Sequence, residues 1–114
     1  MDKDEFSRLW HNIDSITKLP IYIDDTSNIT VADIRSKAKK IRKDAGALDA
    51  IIVDYLQLIQ SNVHKDDRVR QDEHISRNIK LFAKDLRLPI IALAQLSRKV
   101  EDRTSKIPML SDLR

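Results

Sequence analysis

The chain has 114 residues, 21 of them basic and 18 acidic, with no cysteine and a single glycine, Gly46. One glycine is too few for a glycine-rich phosphate loop or a dinucleotide-binding fingerprint within this chain. The lack of cysteine excludes disulfides and thiolate metal sites, and no two histidines have the H-x-x-x-H spacing of zinc hydrolases. Mixed surface charge and only five aromatic residues argue against a stand-alone protein that binds nucleic acid by stacking on bases.

The length fits one domain with a modest core, and no second domain is expected. No apolar stretch approaches the roughly 20 residues needed to cross a bilayer. The charged start, Met1 to Glu5, does not resemble a signal peptide. We therefore expect a cytoplasmic protein that has no contact with a membrane.

The first half of the chain predicts two helices with a short strand between them. Apolar residues spaced three and four apart predict an amphipathic helix over 4–17. The β-favouring run 21–23 predicts a strand, and turn chemistry explains the acidic pair that follows it. Thr30 carries a helix-start signal, and Gly46 is the expected end of that helix.

The second half alternates strand and helix again. Residues 48–58 are the most apolar stretch and predict a strand buried on both faces. A charged, mobile surface loop is expected over 60–72, then an amphipathic helix over 75–86 and a second buried strand over 89–94. Alternation of this kind indicates an α/β fold in which a parallel sheet lies between two helix layers, three layers in all.

Two polar residues follow the two buried strands. Asp54 and Gln95 would lie at the carboxyl edge of the sheet, where open parallel sheets bind ligands. An aspartate after an apolar strand is typical of a Walker B site, whose carboxylate orients a nucleotide-bound Mg²⁺, often through water. The Gln95 amide would point at a γ-phosphate or at the water that attacks it. In the alternative interpretation, both residues close their strands as turn formers.

Four segments resemble, in order and in spacing, blocks of the RecA-like motor domain of DnaB-type replicative helicases. They are IYIDDT at 21–26, IVDYLQL at 52–58, IALAQLSR at 91–98 and PMLSDLR at 108–114. The resemblance covers the chain from about Leu19 onwards. It implies a hexameric ring that hydrolyses ATP with Mg²⁺, moves along single-stranded DNA and unwinds the duplex. A primase or a helicase loader would be a further partner.

The resemblance assigns roles to particular residues. Asp54 matches the Walker B aspartate, which holds Mg²⁺ through water, and Gln95 matches the glutamine that senses the γ-phosphate. Arg114 stands in the S-D-[LI]-R block, which leads in the family to a loop that touches the DNA backbone. Arg98 lies between Gln95 and that block in the sequence and is a further candidate for DNA contact.

Three further basic residues are candidates for DNA contact. Lys65, Arg68 and Arg70 belong to the charged loop after the Walker B strand, which in a ring of this type would face the central channel. Four acidic residues nearby nearly cancel their charge, so a solvated loop is the alternative.

Other family features have no counterpart in this chain. These are the phosphate-binding loop with its lysine, the catalytic glutamate and the arginine finger, and Ser27-Asn28 stands where Pro-Gly is common. Residues 1–114 are therefore expected to form part of a helicase motor domain, without ATPase activity by themselves and prone to self-association through unpaired strand edges. The alternative function is a non-enzymatic module that docks on a complete helicase or modulates it.

Overall fold

The structure, a computed structural model, describes residues 2–63 and 65–113. The described residues form three α-helices and two β-strands in the order α1 (Lys3–Thr17), α2 (Val31–Ala45), β1 (Ile51–Val53), α3 (Arg68–Leu86) and β2 (Ile90–Ala92). Short 3₁₀ turns follow at Leu56–Leu58, Arg98–Val100 and Leu110–Leu113. Over the same residues, no helix combines the length and the apolar character needed to span a membrane.

Both predicted helices of the first half are confirmed, and local capping explains where they start. Asp2 caps α1 through a capping box with Glu5. Thr30 caps α2 in the same way, because its hydroxyl accepts from the Asp33 amide at 3.2 Å. Gly46 ends α2 in the left-handed conformation with φ of 82°, which a glycine adopts without steric cost.

The strand predicted at 21–23 is wrong. These residues belong to no strand, and Ile21, Tyr22 and Ile23 have exposed fractions of 62%, 55% and 90%. A β-favouring run becomes a strand only when a neighbouring strand supplies hydrogen-bond partners. Within the described residues the sheet consists of β1 and β2, and neither pairs with this segment.

The loop predicted over 60–72 is also wrong at its carboxyl-terminal end, because α3 already begins at Arg68. Asp67 caps this helix, since its side chain accepts from the Arg70 amide at 3.2 Å. The first turn of α3 is charged and lacks an apolar period. For that reason the hydrophobic pattern placed the start of the helix at residue 75.

The parallel α/β arrangement is confirmed. Strands β1 and β2 pair in parallel with Ile51 opposite Ile90 and Val53 opposite Ala92, and α3 makes the crossover between them. The two strands are shorter than the predicted stretches 48–58 and 89–94. The carboxyl ends of both strands lie at the same edge of the sheet, which is the edge that ligands occupy in this class of fold.

The core lies on one face of the sheet, under α2 and α3. Two clusters of buried residues form it, together with the inward side chains of both strands: Ala38, Phe82, Leu86 and Leu88, and Ile59, Ile75 and Ile79. On the opposite face, Ile52 and Ile91 are 68% and 54% exposed, so the prediction that both faces are buried is wrong. Of the three expected layers, the described residues pack as two, because no residue of α1 is buried.

Candidate functional site

Asp54 and Gln95 lie just beyond the carboxyl ends of the two paired strands. Asp54 follows β1 directly, and Gln95 stands three residues after β2. Both residues are exposed at this edge. The sequence-based prediction that they close neighbouring parallel strands therefore agrees with the pairing of β1 and β2.

Backbone hydrogen bonds continue past the strand ends and hold the two segments side by side. The Leu93 amide donates to the Val53 carbonyl at 2.9 Å, and the Leu56 amide donates to the Leu93 carbonyl at 2.8 Å. In a regular parallel ladder these two partners are two residues apart, but here they are three apart. Asp54 and Tyr55, joined by a cis peptide bond, thus form a bulge opposite Leu93.

Gln57 makes the next connection between the two segments, through its side chain. The Gln95 amide donates to Gln57 Oε1 at 3.2 Å, and Gln57 Nε2 donates to the Gln95 carbonyl at 3.1 Å. Both polar atoms of one carboxamide therefore bond to the backbone of Gln95.

Two of the three basic residues assigned to the charged loop lie instead on the first turn of α3. Arg68 Nη2 donates to the Gln57 carbonyl at 2.7 Å, and its Nε lies 3.7 Å from Asp72 Oδ1. Arg70 Nε lies 3.3 Å from Asp67 Oδ2. Only Lys65 remains in the loop before the helix, and it is exposed.

The segment after Gln95 is fastened to the last 3₁₀ turn. The Ser97 amide donates to the Asp112 carbonyl at 2.7 Å. Arg98, exposed, begins the intervening 3₁₀ turn. Arg114, the last residue of the S-D-[LI]-R block and a candidate for DNA contact, lies outside the described residues.

Asp112 is the one described polar residue that is buried, with 5% of its surface exposed. Its carboxylate accepts from the Met109 amide at 2.7 Å and from Arg103 Nη2 at 2.5 Å. The Met109 amide, with the Arg103 guanidinium, lowers the pKa of Asp112 below its usual value, against the opposing effect of burial. The ionised carboxylate thereby fixes the turn that carries the Ser97 contact.

Sequence reasoning missed Gln57, Arg103 and Asp112 as members of this network. Each forms hydrogen bonds to a residue outside its own helix or strand, and none belongs to a hydrophobic period. No local sequence pattern therefore marked these residues. Gln57 and Asp112 do fall within the blocks that carried the family resemblance. Membership in those blocks was the sequence signal available for these two residues.

Asp54 suits a magnesium ion better than a metal that needs a cage of protein ligands. No group of three or more histidine, cysteine, aspartate or glutamate side chains converges in the part of the chain that the structure describes. Mg²⁺ typically binds one or two carboxylates, with waters and substrate phosphates completing its shell. Asp54, an exposed carboxylate at the carboxyl edge of the sheet, fits this mode of Mg²⁺ coordination.

The whole chain, residues 1–114, matches the family model for the DnaB-like helicase C terminal domain. It is 44% identical over 114 residues to the replicative DNA helicase DnaB of Mycobacterium leprae and 45% identical over 112 residues to that of Geobacillus stearothermophilus. These alignments cover 100% and 97% of this chain, but 19% and 24% of the relatives. The chain thus spans about a fifth to a quarter of their length.

Solved structures agree with these relatives. A DnaB-like replicative helicase, described with its interactions with primase, superposes with a TM-score of 0.91 at 36% identity, over 100% of this chain and 27% of its own. A second solved structure, that of an ATPase domain, gives 0.90 at 38% identity, over 99% of this chain and 40% of its own. The resemblance seen in the sequence blocks is confirmed, and so is the RecA-like α/β class. The chain belongs to the DnaB-like helicase C-terminal domain family.

Proposed function

We propose that this chain forms part of the motor of a cytoplasmic replicative helicase, a hexameric ring that couples ATP hydrolysis to movement along single-stranded DNA and to duplex unwinding. One observation carries the proposal. Hydrogen bonds from Leu93 hold the residues on both sides of Asp54 against the segment that leads to Gln95. The candidate carboxylate and amide therefore share one edge of the sheet, as a nucleotide site requires.

Asp54 and Gln95 have different roles in this proposal. Asp54 would hold the nucleotide-bound Mg²⁺ through water, and when bound this ion supplies charge stabilisation for phosphoryl transfer. The carboxamide of Gln95 would contact the γ-phosphate or the attacking water. Because the Ser97 amide is bonded to Asp112, which lies within the S-D-[LI]-R block, a shift of the Gln95 segment would be passed to that block and to the DNA-touching loop to which it leads in the family.

Five basic side chains of this chain would contact the DNA phosphates. The proposed residues are Lys65, Arg68, Arg70, Arg98 and Arg114. Contacts to phosphates position nucleic acid without reading its sequence, which suits a motor that must move along any strand. A primase or a helicase loader is the proposed protein partner, and the similar DnaB-like helicase described with primase supports the first of these.

A non-enzymatic module that docks on a complete helicase remains the second candidate. The observation in its favour is the exposed apolar face of α1, where Phe6, Leu9 and Trp10 are 48%, 47% and 58% exposed, as in a surface that binds another protein. Both candidates predict that the 114-residue chain by itself shows no DNA-stimulated ATPase activity, because phosphoryl transfer depends almost entirely on positioning and charge stabilisation.

The test uses a full-length helicase in which this chain replaces the matching segment of the Geobacillus stearothermophilus relative. We expect Asp54→Ala to abolish Mg²⁺-dependent turnover, since metal charge stabilisation is worth several kcal/mol, on the order of a thousandfold or more in rate. Gln95→Ala should leave ATP affinity nearly unchanged, while hydrolysis and its stimulation by DNA fall together. ATP binding, turnover with and without DNA, and melting temperature are measured on each variant.

Asp49→Ala is the matched control, because Asp49 is an exposed aspartate just before the same strand. It should leave turnover intact. If Asp54 and Gln95 only close strands, both variants would lower stability by about 0.5–3 kcal/mol and keep their turnover. If DNA stimulated ATP hydrolysis normally in Gln95→Ala, Gln95 would have no role in the site. A chimera with no turnover that binds and inhibits the intact relative would instead favour the docking module.

A further inference from the structure

The carboxamide of Gln57 occupies the place of a peptide group in the ladder between the two site segments. Beyond the pair formed by Val53 and Ala92, the Leu93 amide and carbonyl bond to backbone atoms across the ladder. The next rung would join the Gln95 amide and carbonyl to backbone groups, but both bond to the Gln57 side chain instead, at 3.2 and 3.1 Å. A carboxamide offers the same donor and acceptor as a peptide unit.

The bulge at Asp54 and Tyr55 explains why a side chain is used. One extra residue on this strand shifts the following backbone groups out of register with the Gln95 segment. The side chain of Gln57 spans the resulting gap. It restores two hydrogen bonds to a backbone that is exposed to water and lies beyond the last residue of β2.

Gln57 is itself held in place by the next helix. Arg68, in the first turn of α3, donates from Nη2 to the Gln57 carbonyl at 2.7 Å. The backbone of Gln57 lies in the 3₁₀ turn Leu56–Leu58, where the Leu58 amide donates to the Tyr55 carbonyl at 3.0 Å. The carboxamide thus extends from a fixed backbone to Gln95, which stands midway between the bonded residues Leu93 and Ser97.

We propose that Gln57 is a positioning residue that holds the Gln95 backbone at the nucleotide edge, so that the Gln95 side chain meets the γ-phosphate at the same place on every turnover. This inference rests on the function proposed for Gln95. Gln57 acts through the backbone of Gln95, to which both polar atoms of its carboxamide bond. A displacement of a reacting group by about 1 Å can cost on the order of a hundredfold in rate, so a small drift of this segment matters.

The first arm of the test measures hydrogen exchange of the Gln95 amide by NMR in the 114-residue chain. Gln57→Leu removes both bonds, and we expect exchange of the Gln95 amide to accelerate by about fivefold to tenfold. Gln57→Glu keeps an oxygen that accepts from this amide, so its protection should persist. Gln60→Leu is the matched control, because the Gln60 side chain bonds to Asn28 at 3.2 Å and not to Gln95. Unchanged exchange in Gln57→Leu would overturn the proposal.

The second arm measures turnover in the full-length chimera described above. Gln57→Leu should lower kcat by about tenfold and leave the KM for ATP nearly unchanged, since ATP binding depends on other groups. In a Gln95→Ala background, Gln57→Leu should have no further effect, because a positioning residue loses its role with the residue it positions. A merely structural role would lower kcat or melting temperature equally in both backgrounds.

The two arms separate failure of this inference from failure of the proposed function. If Gln95→Ala retains normal DNA-stimulated turnover, the proposed function of Gln95 is wrong and this inference falls with it. If Gln95→Ala is impaired but Gln57→Leu is normal, or if the two effects add, only the positioning role of Gln57 is wrong. Coupled effects together with faster exchange of the Gln95 amide support both.

Discussion

At the residue scale, Asn28 holds a backbone conformation that most side chains resist. Its φ of 56° lies in the left-handed region, which glycine enters freely and asparagine tolerates better than most residues. Glycine is common at this position in the family that the chain resembles. The asparagine also accepts a hydrogen bond from Gln60 Nε2 at 3.2 Å through its side-chain oxygen.

We expect Asn28→Ala to lower the free energy of unfolding by about 1 kcal/mol, because alanine pays the left-handed strain that asparagine partly avoids. Asn28→Gly should change it by less than about 0.5 kcal/mol, since relief of strain offsets the lost exposed hydrogen bond. Urea unfolding followed by circular dichroism measures both variants. Asn62→Ala, at an exposed asparagine, is the control. If Asn28→Ala and Asn28→Gly lowered the free energy of unfolding equally, the side-chain hydrogen bond and not the backbone conformation would determine the effect.

At the element scale, the irregular segment before α2 is attached to that helix by one ion pair. Lys37 Nζ donates to Asp24 Oδ2 at 2.5 Å and lies 2.6 Å from Thr26 Oγ1. The Thr26 amide also donates to Asp24 Oδ1 at 2.9 Å, a local turn of the kind expected for this acidic pair. The hydrogen bond from Lys37, with those from Thr26, lowers the pKa of Asp24 from 3.8 to about 2.

This pKa gives a pH dependence of known sign. The folded-state pKa of Asp24 lies below its usual value, so its stabilising effect is complete above about pH 3.8 and is lost as the pH falls through about 2. An NMR titration of the Asp24 carboxyl carbon should give a midpoint near 2. Lys37→Met should raise that midpoint towards 3.8. Lys39→Met removes the same charge beside another carboxylate, that of Asp85, and should leave it in place. If Lys37→Met left the midpoint unchanged, the ion pair between Lys37 and Asp24 would not be the cause of the lowered pKa.

Elements with local signals were predictable from the sequence, and elements that depend on distant partners were not. Thr30 and Gly46 bound α2 because a capping hydroxyl and a left-handed glycine act on their own helix ends. The strand expected at 21–23 failed because ladder partners are not encoded locally. The start of α3 at Arg68 was missed because the Asp67 cap precedes a charged turn with no apolar period.

In the candidate site, too, some residues were predictable from the sequence and others were not. Asp54 and Gln95 were found by the rule that ligands bind at the carboxyl ends of parallel strands, which needs only the order of the elements. Gln57 was not found, because its two bonds reach a residue 38 positions away. Whether the Gln57 side chain reaches the backbone of Gln95 depends on the register of the two segments, and a bulge of one residue changes that register.

At the scale of the whole molecule, the chain is far more open than a folded domain of its size. Its radius of gyration is 18.4 Å, whereas a compact chain of this length would have about 13 Å. Its accessible surface is 9645 Å², against about 6,400 Å² expected for a monomer of this mass. The uncovered surface includes large apolar side chains of α1, of both strands and of the irregular segments.

The exposed apolar groups form continuous surfaces. One face of α1 exposes Phe6, Leu9, Trp10, Ile13 and Ile16, each between 41% and 58%. The outer face of the sheet exposes Ile52 and Ile91 on adjacent strands. Contiguous patches of this kind are typical of interfaces, whereas single exposed apolar residues are normal.

We expect the 114-residue chain to self-associate in solution through these surfaces and through the unpaired edges of β1 and β2. Sedimentation over a range of concentrations should show a mass that rises above 13.2 kDa. Ile52→Thr combined with Ile91→Thr should shift the association to higher concentration, because the pair removes apolar area from one continuous face. Leu81→Thr, at an isolated exposed leucine of α3, is the control and should leave the association unchanged.

Hydrogen exchange distinguishes association from a chain that closes its own surface. If the outer sheet face is covered by a second copy, protection of the strand amides of Ile52 and Ile91 should rise with protein concentration, and the double substitution should weaken that rise. A chain that rearranges internally would show protection independent of concentration. A clean monomer at high concentration, with both strands fully protected, would overturn the prediction, because every uncovered apolar surface described above would then need a partner within the same chain.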